Sequence, residues 1–120
     1  MNKILAVDDS TSMRQVMCFF LKNAGYQVEE AADGRQALAM AERERYELVL
    51  TDVQMPGING LELVRRLRAM PAYRTTPILT VTTLNARAER DEGRAAGATG
   101  WIVKPFGEDK LLSTIQRVMS

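Results

Sequence analysis

No histidine occurs among the 120 residues, and there is a single cysteine, Cys18. The first absence removes imidazole acid–base catalysis, Ser-His and Cys-His nucleophile pairs, and His-ligated zinc or iron. The second removes an internal disulfide and any cysteine-clustered metal, and it suits a reducing compartment. An excess of one charge is also missing, since 16 Lys+Arg stand against 15 Asp+Glu for a formal net charge of +1. A basic stripe of the kind that nucleic-acid binding requires is therefore not expected. No apolar run approaches about 18 residues, the length of a membrane-spanning helix. The stretch 1–7 meets Asp8 and Asp9 too soon to be a signal peptide. These absences predict a soluble, cytoplasmic protein with neither a membrane nor a nucleic-acid partner. Its chemistry must come from carboxylates, hydroxyls, lysine or arginine.

What is present is an alternation of short β-branched runs and helical patterns. Residues 3–7 (KILAV), 27–31 (QVEEA), 47–51 (ELVLT), 77–81 (PILTV) and 100–103 (GWIV) read as strands. The first, third and fourth are the apolar runs of central strands covered on both faces, while QVEEA has the polarity of an edge. Between them apolar residues recur at helical spacing. The first helix spans about 11–24, with Met13, Val16, Met17, Phe20, Leu21 and Ala24 inward and Gly25 as its stop. That wheel leaves Cys18 and Phe19 off the stripe, which predicts a partly exposed, inert thiol and an outward phenyl ring. The second helix covers about 34–45 through Ala37, Leu38 and Ala41; the third starts near Gly60 and ends before Pro71. The fourth, about 85–96, offers its core only Ala88, Ala95 and Ala96; the fifth, 108–119, packs through Leu111, Leu112, Ile115 and Val118. Strict alternation of this kind predicts an α/β fold, a (βα)5 doubly wound parallel sheet with right-handed crossovers, over a single domain of residues 1–120.

Ligands of open parallel sheets bind beyond the carboxyl ends of the strands. Asp8 and Asp9 follow the first strand, Asp52 the third, Thr82 and Thr83 the fourth, and Lys104-Pro105 the fifth. The topology therefore gathers these side chains at one edge. Three carboxylates beside one lysine leave a local charge of about −2, and in a partly desolvated pocket they repel. A divalent cation cancels the excess, and oxygen-only ligands favour Mg²⁺, which binds carboxylates together with phosphate oxygens. With such an ion in place, one carboxylate can attack a phosphoryl group whose charge the metal and the lysine offset. A threonine hydroxyl can donate to the arriving phosphoryl oxygen.

The segments ILAVDDS, VLTDVQMPGINGLEL, PILTVTT and AAGATGWIVKPF together resemble bacterial response-regulator receiver domains, most closely the stand-alone CheY-like chemotaxis type. That family is flavodoxin-like, with strand order 2-1-3-4-5. The resemblance implies that Asp52 is the phosphoacceptor, taking a phosphoryl group from a CheA-like histidine kinase. Asp8, Asp9, Asp52 and the backbone carbonyl of Gln54 would hold Mg²⁺, and Lys104 would pair with the phosphoryl group. Thr82 would be the switch hydroxyl and Trp101 the switch aromatic. The family's Lys-Pro bond is commonly cis, and its glycines in MPGING allow a tight approach to the site. Output would come from the face of helix four, strand five and helix five, which binds an effector such as a flagellar motor switch component. The protein would act as a monomer that modifies only its own Asp52.

Several residues depart from the usual chemotaxis pattern. The switch aromatic is commonly Tyr or Phe, whereas here it is Trp101, the sole tryptophan. Gln54 and Leu84 border the path of the hydrolytic water; Leu84 cannot orient it, which predicts slow self-dephosphorylation that Leu84→Glu would speed. Helix four carries Gly93 inside it, at about 1 kcal/mol relative to alanine, and so should be weakly held. Its outer surface carries Arg87, Arg90 and Arg94, of which Arg90 and Arg94 could receive an acidic partner; motor-binding receivers generally present a more apolar surface here, so a phosphate-sink or non-flagellar role stands beside flagellar binding. A Mg²⁺-dependent phosphohydrolase is a rival, but such enzymes usually carry Asp-x-Asp after the first strand. A nucleotide or flavin binder would want a glycine- or hydroxyl-rich loop in place of Asp8-Asp9.

Overall fold

The structure, a computed structural model, describes residues 3–83 and 87–119. Five strands, β1 (Lys3–Val7), β2 (Gln27–Ala31), β3 (Leu48–Asp52), β4 (Ile78–Thr83) and β5 (Gly100–Lys104), alternate with five helices. The helices are α1 (Thr11–Asn23), α2 (Gly34–Arg43), α3 (Gly60–Ala69), α4 (Arg87–Ala96) and α5 (Glu108–Met119), with one 3-10 turn at Pro71–Tyr73. All strand pairs are parallel and the order is β2-β1-β3-β4-β5, as the alternation and the family resemblance lead one to expect.

One apolar layer joins Leu5, Val7, Val49 and Ile78 to Ala37 and Ala41 of α2, Leu63, Val64 and Leu67 of α3, and Ala96 of α4. On the other face Ile4, Leu48, Leu50, Leu79 and Ile102 meet Leu21 of α1 with Leu111 and Ile115 of α5. Central β3 is buried along its whole length, whereas the edge strands β2 and β5 are only partly covered. Helix starts are set by side chains that accept the otherwise unpaired N–H groups: Ser10 for Met13, Asp33 for Gln36 and Asn59 for Glu62. Gly25 has φ +96°, the left-handed conformation expected just beyond α1.

Helix one differs from its helical-wheel reading. Val16 is 42% exposed and Ala24 faces water, while Cys18 is buried with Ala6, Met17 and Val81. The helix lies over both β1 and β2, so its inward arc is centred on Met17, Cys18 and Leu21. Burial pushes the Cys18 thiol up to about 11. Phe19 does point outward, at 64% exposure. Helix two ends at Arg43, not Arg45, because Glu44 has already turned to extended backbone. Strands three and four run further than expected, through Asp52 and Thr83, because the ladder continues beyond the apolar run.

At the opposite end of the sheet from the acidic residues, Arg68 ties three segments together. Its guanidinium donates to the carbonyls of Gly97 (2.8 Å), Tyr73 (2.7 Å) and Thr76 (2.6 Å). A planar fork of donors suits this task as no ammonium would. Tyr73 and Tyr46 are fully buried there, and the Tyr73 hydroxyl donates to the carbonyl of Glu44 at 2.7 Å.

Candidate functional site

Each strand delivers its side chain by ending where it does. Asp8 follows β1 directly, and Asp52 and Lys104 are the last residues of β3 and β5. Asp8 and Asp52 are 0% and 6% exposed, so two carboxylates are held largely away from water. Their charge is met by Lys104, whose Nζ lies 3.3 Å from Asp52 Oδ1 and 3.7 Å from Asp8 Oδ2. Carboxylate oxygens of Asp8, Asp9 and Asp52 all fall within 4.8 Å of one another. Burial pushes the Asp52 carboxyl above its ordinary range; Lys104 opposes that rise and Asp8 adds to it.

Backbone donors orient both buried acids. The N–H of Val53 donates to Asp52 Oδ1 at 2.9 Å, and that of Ser10 to Asp8 Oδ1 at 2.9 Å. Asp8 Oδ2 and the Thr82 hydroxyl, by contrast, are buried with no hydrogen-bond partner among the described residues. An unsatisfied buried oxygen is costly, and one within the lysine-capped acid pair, with another one position beyond Val81, the register partner of Asp52, points to polar species that bind here. Oxygen donors, clustered negative charge and an orphaned carboxylate oxygen fit a hard divalent cation. Gln54 follows in the loop after β3 with its side chain exposed.

Gly60 closes the rear of the site. A Cβ there would lie 2.1 Å from the Asp52 carbonyl oxygen, so only glycine lets the start of α3 press on the Asp52 backbone. Gly57 in the same MPGING loop has φ +75°. The Lys104-Pro105 bond is cis.

Trp101 stands apart from this cluster. It pairs in register with Thr80, and Thr82 pairs with Val103 two positions further along β5. Its ring is covered by two guanidinium groups, Arg90 at 5.4 Å and Arg94 at 5.8 Å from the ring centre. The two arginines that could receive an acidic partner thus also contact the indole, Arg94 while still exposed. Their i,i+4 spacing puts them on one helix face, and that face turns to the indole, where cation–π attraction engages both. A correction concerns the packing of α4: Ala88 and Ala95 are exposed, and Gly93 and Ala96 are its buried residues among those described. Gly93 faces Thr80, the nearest atom to a Cβ being the threonine Oγ1 at 3.5 Å. Leu84 and Asn85, the latter at the expected start of the helix, lie outside the described residues.

Sequence reasoning passed over Arg14, Arg68 and the Arg90–Trp101–Arg94 stack. Only the last had a readable signal, two arginines four residues apart before the sole tryptophan. The partners of Arg14 and Arg68 are mostly backbone carbonyls, which no residue pattern announces.

The response regulator receiver domain model matches residues 4–116. Among solved structures, the chemotaxis response regulator CheY4 of Vibrio cholerae superposes with a TM-score of 0.94 at 51% identity, covering 98% of each chain. The receiver domain of the sensor histidine kinase PA1611 from Pseudomonas aeruginosa, with a magnesium ion coordinated in its active-site cleft, gives 0.91 at 33% identity, covering 98% of this chain and 97% of its own. The chemotaxis protein CheY of Pseudomonas aeruginosa is 36% identical over 117 residues, 97% of this chain and 94% of that protein. Some curated relatives are much longer: the chain spans 15% of the gliding motility regulatory protein of Myxococcus xanthus, to which it is 37% identical. With its fold, its strand-end acids and its lysine accounted for, the chain belongs to the response regulator receiver domain family.

Proposed function

We propose that residues 1–120 form one receiver domain that takes a phosphoryl group from a partner histidine kinase onto Asp52 and relays the change to an effector in chemotaxis-type signalling. The observation that carries this reading is the placement of Lys104 Nζ 3.3 Å from Asp52 Oδ1, with the Thr82 hydroxyl buried near the end of β4 without a hydrogen-bond partner among the described residues. An Asp52 oxygen attacks phosphorus as the P–N bond of the donor phosphohistidine breaks, and the new bond is an acyl phosphate. Asp8, Asp9, Asp52 and the Gln54 carbonyl would hold Mg²⁺, which when bound neutralises charge on the transferring oxygens. Lys104 exchanges its contact with Asp52 for one with the phosphoryl group, and Thr82 donates its hydroxyl to a phosphoryl oxygen. Water later cleaves the acyl phosphate, so the chain modifies itself and turns over no external substrate. No histidine occurs among these 120 residues, so the donor imidazole would lie outside them.

Among the described residues no helix is long and apolar enough to cross a membrane, which accords with a cytoplasmic site of action. The α4–β5–α5 face carries Trp101 and a groove of about 270 Å³ lined by Leu79, Thr114, Arg117 and Val118 among others. Arginine and indole, not a wholly apolar surface, would meet the effector. That chemistry favours a non-flagellar effector or a phosphate-sink role as the second reading.

The test is transfer of labelled phosphate from a phosphorylated histidine-kinase domain. Label should reach the wild type with Mg²⁺, and neither the Asp52→Asn variant nor the wild type in EDTA. Beryllofluoride with Mg²⁺ should change Trp101 fluorescence; an unchanged spectrum at saturation would detach Trp101 from the switch. Retained labelling of Asp52→Asn would overturn the acceptor.

A further inference from the structure

Successive residues of an extended strand point to opposite faces, so Asp8 and Asp9 can share one pocket only if the chain leaves the strand between them. The turn has a consequence for the backbone. The Asp8 N–H still donates to the Ala31 carbonyl of β2 at 3.2 Å, but the Asp8 carbonyl lies beyond the last β1 residue, Val7. Its donor is Arg14, one turn into α1, whose Nη1 reaches it at 2.6 Å. The guanidinium is held in turn by Glu30 of β2, with Nε 3.1 Å from Oε1, and the Arg14 side chain is only 15% exposed. The loop is closed from its other side: Ser10 donates its N–H to Asp8 Oδ1, and the Arg14 N–H donates to the Ser10 carbonyl at 3.0 Å.

We propose that Arg14, anchored by Glu30, is a positioning residue that sets the Asp8–Asp9 turn and thereby the affinity of the acidic pocket for a divalent cation. The inference rests on the reading that Asp8 and Asp9 hold that cation. One oxygen of Asp8 is committed to Ser10, and the other, Oδ2, is buried without a hydrogen-bond partner among the described residues and faces Lys104 Nζ at 3.7 Å. Fixing the peptide plane between Asp8 and Asp9 fixes the direction in which both carboxylates leave the backbone. Oxygen donors already turned toward one point need no reorganisation when an ion arrives, and supports of this kind commonly govern metal affinity. The fork geometry matters as well as the charge, because Nη1 and Nε contact different elements at once. A lysine would supply one ammonium and cannot span both partners.

Mn²⁺ serves as the probe, since it shares the preference of Mg²⁺ for oxygen ligands and its free ion is counted directly by electron paramagnetic resonance. Titrations of the full chain should show Arg14→Gln weakened about tenfold and Glu30→Gln about threefold. Arg14→Lys should remain at least about threefold weaker than wild type. Thermal melts in EDTA provide the control, because a purely structural role would lower Tm and leave the Mn²⁺ dissociation constant in place. An affinity of folded Arg14→Gln within about twofold of wild type would overturn the proposal, as would full rescue by lysine. Should Arg14→Gln fail to fold, Glu30→Gln decides by the same criterion. Wild-type protein that binds no Mn²⁺ would instead overturn the cation reading, leaving the two failures distinct.

Discussion

The two helices that flank the end of the sheet are fastened in opposite ways. Helix α3 buries Gly60, Leu61, Leu63, Val64 and Leu67, and its first residue touches the backbone of Asp52. Helix α4 buries Gly93 and Ala96 among its described residues, and it meets β5 through two arginines laid on one indole. Full burial of a leucine is worth about 2 kcal/mol, against about 1 kcal/mol for an exposed cation–π contact. Asp52 therefore sits on the firmly packed flank, and the face that carries Trp101 on the loosely packed one. A switch needs both, because chemistry requires a fixed acid and signalling requires an element with a small gap between states.

Two glycines make that contrast breakable. Gly60→Ala should have the largest effect, since its Cβ would lie 2.1 Å from a backbone oxygen and the start of α3 must shift. We expect a loss of about 3 kcal/mol in urea unfolding and loss of phosphoryl transfer to Asp52. Normal stability would mean that the α3 flank yields as easily as α4. Gly93→Ala should do the reverse, because its Cβ has ordinary contact distances and the helix interior gains about 1 kcal/mol. Hydrogen exchange of α4 should slow in that variant and the beryllofluoride response of Trp101 should shrink. Wild-type α4 protected as well as α5 before phosphorylation would remove the basis for the comparison.

Smaller effects sharpen it further. Arg94→Gln should lose about 0.5 kcal/mol of stability while shifting the Trp101 emission of the unphosphorylated protein, since one side of the ring contact is gone. An unchanged emission maximum would show that Arg90 alone holds the ring. The smallest effect concerns α1, which is packed like α3. Folding raises the Cys18 thiol from 9.0 to about 11, so the stability this gives is full below pH 9 and is lost as pH rises toward 11. Alkylation by iodoacetamide at pH 8 should be slow in the native protein and rapid in urea; rapid native reaction would contradict the burial.

The alternation of five short strand-like runs with helical patterns was enough to determine a doubly wound parallel sheet. Strand-end positions were then enough to bring Asp8, Asp9, Asp52, Thr82 and Lys104 to one edge. Those inferences hold because periodicity and topology are properties of the chain read along its length. The missing histidine is as informative, since it removes imidazole chemistry from these 120 residues. Tertiary structure decided what periodicity averages over. A helical wheel assigns an arc, but the seating of α1 across β1 and β2 chose Cys18 over Val16. Charge counting found arginines on α4, but only the proximity of Trp101 engaged them. Arg14 and Arg68 bind carbonyl groups that every residue possesses, so their partners exist only once the chain has folded.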